Sequence, residues 1–190
     1  MFIQTEATPN PATLKFIPGK TVLPTGTLEY LDLAAAADSP LATRLFAIDG
    51  VAGVFLGQDF ISVSKADSLA WQHLKPAVLG VIMEHYMSGA PVVAGAGAAA
   101  GASADSEAED FAPEDQEIVD TIKELIETRV RPAVANDGGD IVFRSYREGI
   151  VSLHMRGACA GCPSSTATLR HGIENLLKHF VPEVLEVRPV

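Results

Sequence analysis

The sequence predicts an α+β chain of two small domains, each a small, mostly antiparallel sheet packed with helices. Three observations carry that prediction. Alternating strand-type runs are interleaved with apolar stripes at helical spacing along most of the 190 residues. The stretch "GAPVVAGAGAAAGASA", residues 89–104, is low in complexity and holds no charged side chain. Directly after it, residues 105–117 contain seven acids and no base, so most of the net charge of −10 sits in one local run. The domains are therefore expected at 1–88 and 112–190, with 89–111 a flexible acidic linker. About 24 residues of flexible chain would hold their ends on the order of 27 Å apart.

In the first domain "FIQTEAT" and "ATLKFIPG" read as strands parted by the Asn10-Pro11 breaker, and "TLEYLDL" as a third after a Pro24-Thr25-Gly26 turn. "DSPLATRLFAI" suits a helix, with Asp38 or Ser39 as cap and Pro40 at the first helical position, where a missing N–H costs nothing. "VAGVFLG" and "FISVSK" form a hairpin about Gly57-Gln58-Asp59. Ser68 then caps a helix whose Trp71, Leu74, Val78, Val81, Ile82 and His85 recur at helical spacing. His73 and His85 have no second ligand at metal spacing, so both are read as structural.

The second domain begins with Pro113, Glu114 and Asp115, a helix start with charges that suit the dipole. Ile118, Ile122, Leu125, Ile126 and Val130 make one stripe, and Asn136 to Asp140, "NDGGD", reads as the turn after it. "DIVFRSY" and "GIVSLHMRG" form a hairpin about Arg147-Glu148-Gly149, with Val151, Leu153 and Met155 on one face and Ser152, His154 and Arg156 on the other. Thr166, Leu169, Ile173, Leu176, Leu177 and Phe180 mark a second helix stopped at Pro182, and "EVLEVRPV" gives a last strand. The order is helix, hairpin, helix, strand.

Between that hairpin and that helix lies "RGACAGCPSS", which holds both cysteines of the chain, Cys159 and Cys162. A helix N-terminus stabilises sulfur anions, so the position predicts thiolates, and Gly157 and Gly161 would let backbone N–H groups approach them. Two thiolates admit three uses. A redox pair fits the helix end, but only one helix and one strand follow, too little for a thioredoxin-type sheet. Structural zinc wants four ligands, and His154 is a distant third on the opposite face. A cluster ligated only by cysteine also wants four, so either metal reading needs a pair from each of two chains.

The residues from "IKELIETRVRPAVANDGGDIVF" through "VSLHMRGACAGCPSSTATLRHGIENLLKHFVPEV" resemble the C-terminal domain of NifU-like proteins, and "ATPNPATLKFIPG" with the rest of residues 1–87 resembles the Nfu N-terminal domain. A bare C-x-x-C is weak, whereas D-G-G-D, hairpin, G-A-C-x-G-C-P-S-S and helix in that order are specific. The resemblance implies a scaffold or carrier of iron–sulfur cluster assembly. Such a protein holds a four-iron four-sulfur cluster, with two-iron two-sulfur the alternative, between the subunits of a homodimer. It takes the cluster from upstream assembly proteins and passes it to apo-protein clients. Cys159 and Cys162 match the family's cluster ligands, with no departure in the motif.

Other function classes find no support in the residues. No uncharged apolar run reaches the roughly 18 residues that span a bilayer, so no membrane role is expected. No basic stripe suggests nucleic acid, and no nucleophile stands with a base, so the chain is read as a non-enzyme. The opening "MFIQTEATPNPATLKF" resembles neither a secretory signal nor an Arg-rich presequence, which makes a cytoplasmic setting the default and the mitochondrial matrix the setting for a mature processed chain.

Overall fold

The computed structural model describes residues 1–94, 109–161 and 163–190. The chain divides into two compact units, Met1–Ala104 and Asp105–Val190. The first holds β1 (Gln4–Ala7), β2 (Thr13–Ile17), β3 (Leu28–Tyr30), a 3-10 turn (Ala35–Asp38), α1 (Pro40–Phe46), β4 (Val51–Leu56), β5 (Ile61–Lys65) and α2 (Trp71–Ser88). Its sheet has the order β1-β2-β5-β4-β3, antiparallel at every pairing. Phe16, Val54, Leu56, Ile61 and Val63 of the sheet pack with Leu41, Leu45, Val78 and Ile82 of the helices into one core.

Ser39 is the cap of α1, its hydroxyl accepting from the Ala42 N–H at 3.1 Å, and Pro40 stands at the first helical position. The α2 cap differs from expectation. It falls on Ala70 with no side-chain bond, and the helix entry is anchored instead by Trp71, whose Nε1 donates to the Pro11 carbonyl at 3.1 Å. His85 is fully buried, edge-on to Tyr86 with ring centroids 5.8 Å apart. Burial holds its pKa below the ordinary value, with the Arg44 charge adding to that shift.

The second unit holds β6 (Asp110–Phe111), a 3-10 turn (Pro113–Asp115), α3 (Gln116–Leu125), a π-helical segment (Ile126–Val130), α4 (Arg131–Asn136), β7 (Gly139–Arg147), β8 (Ile150–Gly157), α5 (Pro163–Phe180) and β9 (Glu186–Pro189). The sheet order is β6-β7-β8-β9. Only β7 and β8 are antiparallel; β6 lies parallel to β7 and β9 parallel to β8, so this sheet is mixed rather than mostly antiparallel. β8, α5 and β9 thus form a parallel crossover, with the cysteine loop at its strand-to-helix junction. Val119, Ile122, Leu125, Ile126 and Val130 meet Ile141, Phe143, Leu153, Ile173 and Leu177 in the core. Phe180, expected on the apolar stripe of α5, is 46 % exposed and lies under the Arg129 guanidinium, 5.0 Å from its ring centroid.

Composition assigned residues 89–111 to the linker, and the structure ties down both ends of that stretch. The Ser39 hydroxyl donates to the Val92 carbonyl at 2.6 Å, Val93 is buried in the first core, and the Ala94 N–H donates to the Asp38 carbonyl at 2.8 Å. At the other end Asp110 and Phe111 form β6, with Asp110 accepting from Arg147 at 2.6 Å and Glu109 from Lys123 at 2.7 Å. Low sequence complexity reports composition, and a short run can still dock when a hydroxyl or an edge strand takes its backbone groups. The rest of the expected linker, 95–108, lies outside the described residues. No helix among the described residues is long and apolar enough to cross a membrane.

Candidate functional site

The cysteine loop is built by the β7–β8 hairpin. Helix α4 ends with Asp137 as its C-cap, and Gly138 follows at φ 79°, the left-handed position that terminates a helix. The chain enters β7 at Gly139, paired with Gly157 at the end of β8, and Asp140 is paired with Arg156. A bulge between Phe143 and Ser145 shifts the ladder by one residue, and that shift brings the two glycines opposite each other. The Ala158 N–H donates to the Gly138 carbonyl at 3.2 Å, closing the D-G-G-D turn onto the cysteine loop.

Cys159 sits in this cradle, 5 % exposed and part of the apolar core of the second unit. Its carbonyl accepts from the Thr166 hydroxyl on α5 at 3.0 Å, and the loop turns at Gly157 and Gly161, with φ of 64° and 78°. Gly139 lies against the sulfur. A Cβ there would stand 2.6 Å from Cys159 Sγ and 2.7 Å from the Arg156 carbonyl oxygen, inside contact distance of both. Gly161 would meet nothing within 4 Å, so its requirement is conformational. Cys162, the second expected ligand, lies outside the described residues.

The expected preference for thiolate does not hold for Cys159. Burial pushes its thiol up to about 12, and the Asp137 and Asp140 carboxylates add to the shift. The helix N-terminus is the signal in the sequence, whereas desolvation is the largest cause acting on this buried sulfur. The thiol is therefore protonated at neutral pH, and a bound cation must displace its proton. In the apo chain carrying Cys162→Ser, we expect iodoacetamide at pH 8 to label Cys159 at least about tenfold more slowly than a free cysteine of pKa about 8.5. A rate equal to that of free cysteine would show that the sulfur is neither buried nor held protonated beyond a free thiol.

Asp140 is itself buried, its side chain 5 % exposed, and its two oxygens take Arg131 Nε at 2.9 Å and Nη2 at 2.8 Å. Oδ1 also accepts the Ile141 N–H at 2.8 Å. Arg131 donates in addition to Glu127, at 2.9 Å. These residues carried no functional expectation from the sequence. His154 pairs with Val142 on the sheet face opposite Leu153 and Met155, so the structure does not bring it to Cys159. Among the described residues no three His, Cys, Asp or Glu side chains gather as a metal site.

Fold and loop together define a class: a two-unit α+β protein that holds Cys159, the first cysteine of its C-x-x-C sequence, at a strand-to-helix junction. Residues 3–89 match the family model described as scaffold protein Nfu/NifU N terminal, and residues 122–188 the NifU-like domain. A human relative, "NFU1 iron-sulfur cluster scaffold homolog, mitochondrial", is 47 % identical over 191 residues, covering 100 % of this chain and 72 % of the relative. The Arabidopsis thaliana "NifU-like protein 4, mitochondrial" is 49 % identical over 188 residues, 97 % of this chain and 64 % of that protein. The chain thus spans about two thirds of the length of these relatives. Among solved structures, the solution structure of a NifU-like protein from Saccharomyces cerevisiae matches 49 % of this chain and 84 % of its own, at 24 % identity and a TM-score of 0.45. The chain belongs to the Nfu family of NifU-like scaffold proteins.

Proposed function

We propose that the chain is a carrier in iron–sulfur cluster assembly, a binding protein and not an enzyme. Its cargo is a four-iron four-sulfur cluster, or alternatively a two-iron two-sulfur cluster, held between two subunits by Cys159 and Cys162 of each. Upstream assembly proteins supply the cluster, and apo iron–sulfur proteins receive it. The family and its relatives' printed function as cluster scaffolds support the assembly role. The observation that carries the site is Cys159, seated on Gly139 in a loop that closes against a helix start. Four thiolates are needed and one chain has two, so the ligand count makes the site intermolecular.

The alternatives use the same cysteines. A thiol-disulfide module needs an accessible thiolate. The parallel crossover of β8, α5 and β9 gives that reading more fold than the sequence suggested, but a sulfur 5 % exposed with its pKa raised to about 12 opposes it. A zinc site shared by two chains would give a colourless dimer that keeps its metal. The mitochondrial names of the relatives support the matrix setting and lend none to the cytoplasmic default. Neither nucleic acid nor membrane is among the proposed partners.

Dilution tests the carrier reading, because a site split between chains ties cargo and dimer into one equilibrium. After anaerobic reconstitution the brown protein should sediment as a dimer with about two irons per chain for a four-iron cluster. Dilution below the dimer constant should release iron and monomer together, and an apo-client should take the cluster faster than free iron and sulfide rebuild it. Retention of a full cluster by a thiol-free monomer would overturn the shared site.

A further inference from the structure

We propose that the Arg131–Asp140 ion pair is the positioning element of the cysteine site, fixing the glycine turn on which the Cys159 sulfur rests. The part of this inference that concerns cargo rests on the carrier reading; the part that concerns the sulfur does not. Arg131 opens α4 directly after the π-helical segment Ile126–Val130, a rare local geometry that recurs at functional sites. Its guanidinium makes a two-pronged contact with Asp140, at 2.9 and 2.8 Å, across a chain separation of nine residues. Asp140 in turn accepts from the Ile141 N–H at 2.8 Å, so the carboxylate is tied to the helix and to its own strand at once.

The pair stands next to the sulfur in two directions. Along the chain, Asp140 adjoins Gly139, where an added Cβ would be 2.6 Å from Cys159 Sγ. Across the sheet, Asp140 is paired with Arg156, three residues before Cys159. A shift of α4 against β7 therefore moves the floor under the sulfur. The pair is partly buried, and such an ion pair is a weak device for stability, since apolar side chains of similar volume often serve as well or better. Its particular property is geometric: a planar fork on a carboxylate fixes distance and orientation together, which a point charge or an apolar contact does not.

The test reads the sulfur directly, in the full chain carrying Cys162→Ser so that Cys159 is the one thiol left. Removing the Arg131 cation would by itself disfavour the thiolate and slow alkylation. If the pair positions the loop, Arg131→Met should instead accelerate iodoacetamide labelling of apo Cys159 by about tenfold or more, through local opening. Arg131→Lys, which keeps charge without the fork, should fall between parent and Arg131→Met. The double variant with Asp140→Asn should react no more than about twofold faster than the faster single, as coupled partners do. Val184→Ala serves as the control for stability: Val184 is 1 % exposed and adjoins Leu185, whose N–H is bonded to the Gly149 carbonyl at the end of the hairpin away from Gly139 and Gly157.

At an equal loss of melting temperature the control should label within about twofold of the parent. Labelling of Arg131→Met at the parent rate or slower would overturn the proposal, as would a control that labels as fast as Arg131→Met. Should Arg131→Met fail to fold, Arg131→Lys against the same control decides. In the two-cysteine chain, loss of cluster iron to a chelator should accelerate in the same rank order. A parent that takes up no iron would overturn the carrier reading and leave the labelling comparison to decide the positioning role.

Discussion

Cys159→Ser is expected to yield a folded protein that reconstitutes colourless, with iron at the level of a blank. Serine keeps the size of the side chain but cannot supply a thiolate, and a four-thiolate site on two chains has no spare ligand. Cys162→Ser should be equally free of iron. The fold should survive, because burying a hydroxyl that lacks a partner costs about 1–3 kcal/mol, less than the stability of a typical domain. Far-UV circular dichroism and the melting temperature of the apo forms check that side, and iron and sulfide analysis checks the other. A brown variant with wild-type iron would remove the replaced cysteine from the ligand set. Disulfide reductase activity in an iron-free wild type, lost in both variants, would instead favour the redox reading.

The parts of the fold that were legible in the sequence are those set by local chemistry. The hairpin of β4 and β5 shows in two alternating runs about Gly57-Gln58-Asp59, and Ser39-Pro40 announces α1. Helix, hairpin, helix and strand in the second unit follow from period alone. Pairing direction does not. The strand β9 is four residues and β6 two, and the alternation of a short edge strand is the same whether it joins parallel or antiparallel. The site was legible as a loop and obscure as an environment. Counting back from the Arg147–Ile150 pair, a regular hairpin would set Gly139 opposite Ala158; the bulge at Arg144 sets it opposite Gly157. One unforeseen residue in the ladder thus decides which backbone lies beneath the sulfur. The same tertiary step buries Cys159 beside Asp137 and Asp140, reversing the pKa direction that its place before a helix suggested.

Gly139→Ala should therefore damage the site more than its single methyl group suggests. The new Cβ would lie 2.6 Å from Cys159 Sγ, 2.7 Å from the Arg156 carbonyl oxygen and 3.1 Å from the Cys159 nitrogen. Two of these three neighbours are backbone, held by the Gly139–Gly157 pairing and by the bond from the Ala158 N–H to the Gly138 carbonyl. The strands cannot part without breaking the ladder, so the strain should fall on both the fold and the sulfur. A destabilisation of about 1–3 kcal/mol is expected for such overpacking, read as a lower urea midpoint at unchanged slope. Cluster retention should fall further than that loss explains, because the displaced group is itself a proposed ligand. Gly172→Ala supplies the contrast: it lies in α5 with nothing within 4 Å of the added Cβ, and alanine there should leave stability unchanged or raise it by up to about 1 kcal/mol. Equal midpoints and equal iron in Gly139→Ala and Gly172→Ala would mean that the close approach of Gly139 to Cys159 is not what shapes the site.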